Sequence, residues 1–381
     1  MAYKKVRLGD YLLGYDEINK DGEFSEVDDL QGINNEKYFQ GCQSNKNDID
    51  LSRYRICRHG MFAYNKATSR NGEKISIAYR TDGDCLISPS YICFSIKDEN
   101  VLMPEYLMLW FKRPVFDRYV RFNSWGSATE FFTWEDFQAI EFDLPPIEDQ
   151  QKFVRQYKTI TDRIEVLEKI NKELEKLIRV ILQRFNEDNG EELIETNLSE
   201  VIEAANTGGD AIQKVPIVNY NTGIKCARVS DLTNNNEFEN WAYCKASKSV
   251  FENFKLTTGD ILVTRTATLG VTQYISQDIQ GVYNNGLIRL KANDKVEPLY
   301  LYWVMQNKDF LPYIRQVDAA TSVRPNMKIE HLMAYKFSML SKKHQVEFVR
   351  KVDPLRLQIE ANKMEISRLG ILMEILANSY F

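Results

Sequence analysis

The 381-residue chain predicts a mixed α/β (α+β) protein built twice over. Two globular domains are joined by two long helices that form an intramolecular antiparallel coiled coil, with the halves related by a pseudo-two-fold. Three observations carry this expectation. "DLPPIEDQQKFV" (143–154) turns a strand-like run into a long helix, and "FSMLSKKHQVEFV" (337–349) repeats the junction near the end of the chain. The stretches ahead of the two junctions match in order. Both helices carry a heptad seam interrupted by a single asparagine.

The matched stretches run as follows. "RLGDYL" (7–12) corresponds to "NLSEVI" (197–202). "RHGMFAYNKAT" (58–68) corresponds to "TTGDILVTRTAT" (257–268): a glycine turn, a strand, then a cation and hydroxyls. "MPEYLMLWFKRPVFDRYV" (103–120) and "EPLYLYWVMQNKDFLPYI" (297–314) share an aromatic helical pattern. "NSWGSATEFFTWEDF" (123–137) then aligns with "DAATSVRPNMKIEHL" (318–332). This period is far too long for a solenoid, so the repeat is a duplicated domain-plus-helix. It divides the chain into a first domain (1–146), a first long helix as central spacer (147–190), a second domain (191–340) and a second long helix (341–381).

Alternate steps of four and three from Phe153 reach Phe185 through Tyr157, Ile160, Ile164, Leu167, Asn171, Leu174, Ile178 and Ile181. The same steps from Phe348 reach Tyr380 through Val352, Leu355, Ile359, Asn362, Ile366, Leu369, Met373 and Leu376. Each seam is apolar except for one Asn, the mark of a coiled coil. In a parallel pairing each amide would face an apolar residue. In a fully overlapped antiparallel pairing Asn171 meets Asn362. A buried unpaired amide costs about 1–3 kcal/mol, which selects the antiparallel register. At 1.5 Å per residue the seam would be about 48 Å long. Pro354 lies inside the second seam, and Asp353–Pro354 predicts a break or kink there.

Composition narrows the function. Hydrophobic residues at 44% and aromatics at 12% suffice for packed cores. No apolar run reaches the length of a membrane span and the N-terminus lacks a signal-peptide core, so a cytoplasmic protein is expected. The six cysteines show no CxxC and read as buried thiols. Three scattered histidines argue against zinc. P-loop, GxSxG and HExxH motifs are missing, as are the catalytic loop of amino-methyltransferases and the Glu-x-Lys or Asp-x-Lys of metal nucleases. Neither a catalytic residue nor a cofactor of its own is expected for this chain.

Charge supplies the candidate binding residues. Residues 52–81 hold seven cations (Arg53, Arg55, Arg58, Lys66, Arg70, Lys74 and Arg80) against the single acid Glu73, inside a first domain of net charge −5. Mixed with Tyr54, Tyr64, Asn65, Ser69 and Asn71, they suit phosphate clamping and base-edge hydrogen bonding. The second domain offers Lys245, Lys248, Lys255 and Arg265, then Arg324 and Lys328 in "TSVRPNMK".

Two variable domains, each followed by a long helix introduced by a "LPPIEDQQKFV"-like stretch, resemble the specificity (S) subunit of type I restriction–modification systems. The family's Pro-Leu-Pro-Pro-x-Glu-Gln mark is present as Leu144-Pro145-Pro146-Ile147-Glu148-Asp149-Gln150, with Asp149 inserted before Gln150, and the second copy keeps only Gln345. "SWGSATEFF" and "AATSVRPNM" resemble the family's DNA-contacting Ser/Thr-Gly loop, adding Ser127, Thr129 and Thr321 to the DNA-binding candidates. The resemblance implies a non-catalytic subunit whose two target-recognition domains each read one half of a split double-stranded DNA sequence. It also implies two modification subunits that methylate adenine with S-adenosylmethionine, and restriction subunits that use ATP and Mg. The alternative is a coiled-coil assembly scaffold with protein-binding domains. Salt-dependent DNA binding discriminates the two, and the basic segment 52–81 favours DNA.

Overall fold

The duplication is written in the strand pairing. The computed structural model describes residues 4–26, 29–41, 49–68, 74–126, 129–208, 214–319 and 326–380. They form two compact units, one of Met1–Arg163 with Gly370–Phe381, the other of Ile164–Leu369. Each unit takes in part of both long helices, Ile147–Asp188 and Lys342–Tyr380.

In the first unit a four-stranded antiparallel sheet runs in the order Leu12–Tyr15, Tyr91–Ile96, Phe62–Asn65, Ile77–Tyr79. A second sheet runs Phe39–Gly41, Leu30–Ile33, Cys85–Ile87, Arg55–Cys57, with a parallel pair at its centre. Lys4–Arg7 pairs antiparallel with Glu141–Leu144 just before the first long helix. The second unit repeats the first sheet as Ile202–Thr207, Leu287–Ala292, Ile261–Thr264, Thr272–Tyr274. It repeats the strand before the helix as Ile194–Asn197 on Lys336–Met339. The second sheet keeps its parallel pair, Lys225–Ala227 with Gly281–Tyr283, but gains Ile217–Val218 beyond Ala242–Cys244 where the first unit adds Arg55–Cys57 on the other edge.

Aromatic helices fill the cores. Pro104–Phe111 and Pro298–Val304 both begin on a proline, whose fixed φ suits the first helical position. Each helix presents a tyrosine to the root of a long helix. Tyr106 meets Phe153 edge-on at 5.9 Å, and Tyr300 meets Phe348 at 5.7 Å. The two phenylalanines are fully buried, so each long helix is seated in its domain core.

The junction that occurs twice is held by glutamine. Gln150 is fully buried; its Nε2 donates to the carbonyls of Val101 and Pro145, both at 2.9 Å, and its Oε1 accepts from Met103 N–H at 2.8 Å. Gln345 does the same, donating to Lys295 (3.4 Å) and Leu340 (2.8 Å) and accepting from Glu297 N–H (2.8 Å). Met103 and Glu297 are the residues that cap the aromatic helices. One side chain therefore ties the first turn of a long helix to the start of an aromatic helix. The second junction can lose its prolines because the amide carries the fit.

The long helices pack antiparallel against one another, as the fold class requires. In the first unit Phe153 lies 4.8 Å from Tyr380. In the second, Asn362 Nδ2 donates to Asn171 Oδ1 at 2.7 Å with both amides buried, and Phe185 lies 5.8 Å from Phe348. Of the break or kink expected at Asp353–Pro354, the break is not found: the helix is continuous from Lys342 to Tyr380 with Pro354 inside it. Phe348, Val352 and Ile359 are buried around the proline, and Arg356 bonds Asp353 (2.8 Å) and Glu360 (2.6 Å) across the same turns. Tertiary packing outweighs one lost backbone hydrogen bond.

Cys57, Cys85, Cys93, Cys226 and Cys244 are free and buried; Cys42 lies outside the described residues. Among the described residues no helix is long and apolar enough to cross a membrane, and no group of side chains is arranged to hold a metal ion.

Candidate nucleic-acid interface

In both units a cation closes the central strand of the antiparallel sheet. Lys66 follows Phe62–Asn65, and Arg265 follows Ile261–Thr264. The carbonyl of Lys66 accepts from Phe132 N–H at 2.9 Å, and that of Arg265 from Met327 N–H at 2.8 Å. The next residue of each strand bridges to the incoming loop, Ala67 to Phe131 and Thr266 to Asn326. The polar loop after the second aromatic helix, Pro114–Phe122 or Phe310–Ala319, is thus fastened beside a cation twice over.

The two cations differ in freedom. Lys66 is exposed and has no ion pair among the described residues. Arg265 is half-buried, donating to Met327 O (3.2 Å), to Asn285 Oδ1 (3.3 Å) and to Asn326 Oδ1 (2.8 Å). It braces three loops, leaving Asn285 and Asn326 as its polar surroundings. Thr129 is half-buried in the first loop, and exposed Lys328 caps the short helix Ile329–Met333. Arg70, Ser127, Thr321 and Arg324 fall outside the described residues.

Most of the remaining positive charge in residues 52–81 is met by carboxylates from elsewhere in the domain. Arg58 bonds Glu17, Glu23 and Asp84 together. Its hydrogen bonds hold Glu23 below the usual carboxylate range, and Asp84 is lowered first by His59 N–H and then by Arg58. Arg55 pairs with Asp16, Arg53 with Asp50 at 3.1 Å, and Lys74 with Glu36 at 2.9 Å. Arg80 is buried, donating to Gly83 O at 2.6 Å and lying over the Phe39 ring. The buried Lys37–Asp117 pair (2.8 Å) also fixes Ile75, whose N–H donates to Asp117 at 3.1 Å. Sequence reasoning missed Gln150 and Gln345 as junction clamps although both were visible in the repeated motif. It also missed Trp125, whose indole is 72% exposed on the first loop.

The family model described as "Type I restriction modification DNA specificity domain" matches residues 16–176 and 191–369. The crystal structure of a type I restriction–modification system S subunit from M. genitalium superposes with a TM-score of 0.62 at 14% identity, over 100% of this chain and 96% of that one. At that identity the likeness establishes the fold alone. HsdS from Thermoanaerobacter tengcongensis aligns over 100% of this chain and 96% of its own, at 16% identity and a TM-score of 0.38. A structure described as showing complex assembly and conformational transition of the type I R-M system aligns over 99% and 97%, at 15% identity and a TM-score of 0.43. A search of curated proteins gave no match. Matched by that family model in both of its halves, the chain belongs to the type I restriction–modification DNA specificity family and is a non-catalytic specificity subunit.

Proposed function

We propose that each sheet domain, residues 1–146 and 191–340, reads one half of a bipartite double-stranded DNA target. The paired helices, 147–190 and 341–381, set the spacer between the half-sites and anchor two methyltransferase subunits. The observation that carries this reading is the twofold placement of a cation, Lys66 or Arg265, beside a polar loop fastened to a strand end. Lys66, Thr129 and Lys328 are proposed to touch DNA directly. Arg265 acts through the asparagines it holds. Arg53, Arg55 and Lys74 serve as phosphate contacts by exchanging Asp50, Asp16 and Glu36, all largely exposed, for phosphate. Arg70, Ser127, Thr321 and Arg324 complete the set on sequence grounds, with Arg70 assigned a base edge.

Anchoring is supported by apolar side chains left in water on the long helices. Val166, Ile170, Leu177 and Val180 are exposed on the first, and Leu357, Met364, Ile371, Leu372 and Ile375 on the second. Such stripes flanking a paired seam suit further helices of partner subunits. S-adenosylmethionine, ATP and Mg act on those partners and restriction subunits, in the cytoplasm. Sequencing methylated adenines in DNA from cells carrying this chain and its methyltransferase tests the reading. A split motif with one constant spacer is expected; an unsplit motif would overturn it. The scaffold alternative predicts that the chain binds no duplex DNA at any salt concentration.

A further inference from the structure

We infer that Trp125 is a stacking wedge that reads a deformable base step in the half-site of the first domain. The inference rests on the DNA-reading function proposed above. Trp125 N–H donates to Phe131 O at 3.1 Å and Phe131 N–H returns to Trp125 O at 2.9 Å, closing the loop. Phe131 bridges to Ala67, and the Glu130 carbonyl accepts from both the N–H (3.0 Å) and the hydroxyl (3.2 Å) of Thr68. Gly126 completes the turn, since a side chain there would run into the Thr129 carbonyl. The backbone is therefore pinned on both sides while the indole stays 72% exposed, with Phe131 half-exposed beside it.

A large aromatic carried into water on a pinned backbone is placed to meet a flat apolar partner. On the other side of the Phe131–Phe132 segment from Trp125 stands the free cation Lys66, whose carbonyl accepts from Phe132 N–H at 2.9 Å. A phosphate-binding charge one chain segment away from an exposed aromatic ring suits duplex DNA, the cation on the backbone and the ring against an unstacked base step. Unstacking costs least at TA and CA/TG steps, so the wedge selects sequence without base-edge hydrogen bonds. The sequence of the corresponding loop in the second domain, 318–326, contains no aromatic residue. Counting from the equivalent Thr266–Asn326 bridge, Ala320 stands in sequence where Trp125 does, and Asn326 where Phe131 does. The first half-site is read partly by stacking and deformation, the second by polar groups.

The full-length wild-type chain and its Trp125→Ala, Trp125→Phe and Lys66→Ala variants are each used to select duplexes from a randomised pool at low salt. Permanganate then probes thymines in the selected complexes. Trp125→Ala should lose about tenfold or more in affinity, lose a TA or CA/TG preference in one half-site only, and abolish thymine hyperreactivity there. Its salt slope should stay unchanged, whereas Lys66→Ala lowers the slope by about one. Trp125→Phe should keep most of the binding and the footprint. If the alanine variant selects the same sequences with the same affinity and footprint as wild type, the wedge is wrong while DNA reading stands. Unchanged DNA selection with lost methyltransferase association makes the patch a protein-docking surface and also overturns it. A wild-type chain that selects no duplex overturns the DNA reading itself.

Discussion

At the scale of single residues, the strongest constraints are polar groups that water cannot reach. Gln150 satisfies three backbone groups from a fully buried position. Gln150→Ala should cost roughly 3 kcal/mol in chemical denaturation, and Gln345→Ala about the same, because backbone partners are orphaned in both. A loss below about 1 kcal/mol would mean that water replaces the amide. Arg58 gives a pH signature. Its bonds depress Glu23, and together with His59 N–H they depress Asp84, so the stability they confer is present above the ordinary carboxylate range, about pH 4, and fades as pH falls through the lowered values. Arg58→Ala should therefore destabilise the chain at pH 7, and the gap to wild type should narrow in acid melts. These residues also mark where the sequence was opaque. A count of charges in residues 52–81 shows cations, but their acids sit at Asp16, Glu17, Glu23, Glu36 and Asp84, which only the fold brings close. The partners of Gln150 are backbone groups, and backbone carries no label in a sequence.

At the scale of elements, the long helices were legible because a heptad seam is periodic and names its own partner. Asn171→Leu alone should destabilise by about 1–3 kcal/mol, since Asn362 loses its buried acceptor, and the double change with Asn362→Leu should recover much of that. A double-mutant cycle with zero coupling energy would show that the amides contribute independently. At Pro354 the helix continues instead of breaking, because Phe348 and Val352 are buried in the preceding turns and packing holds the chain helical through the proline. Pro354→Ala should raise stability by about 1–2 kcal/mol by restoring a backbone hydrogen bond, measured on the same denaturation scale. The sheets were only partly readable. The glycine-turn-strand repeat pointed to Phe62–Asn65 and Ile261–Thr264, whereas the differing fourth strand of the second sheet depends on short, irregular runs with no clear alternation.

At the scale of the whole molecule, the proposed reading makes the helices a spacer gauge. Removing one heptad from each should shorten the spacing by about 10 Å, or roughly three base pairs, and leave both half-sites as they were; methylated-adenine sequencing reads both outcomes at once. A changed half-site would place reading in the helices and sink the division of labour. The paired amides add a condition on how such lengths can change by inheritance. Asn171 and Asn362 each stand fourteen residues from the Phe185–Phe348 contact and eighteen from the Phe153–Tyr380 contact, so the two helices of the pair have equal arms. An insertion in one helix alone makes the arms unequal. It must then separate the amides or pull a terminal aromatic off its partner. Viable length variants of this chain should carry matched insertions, one in each helix and on the same side of the amide pair, so that two distant stretches of the coding sequence gain or lose heptads together.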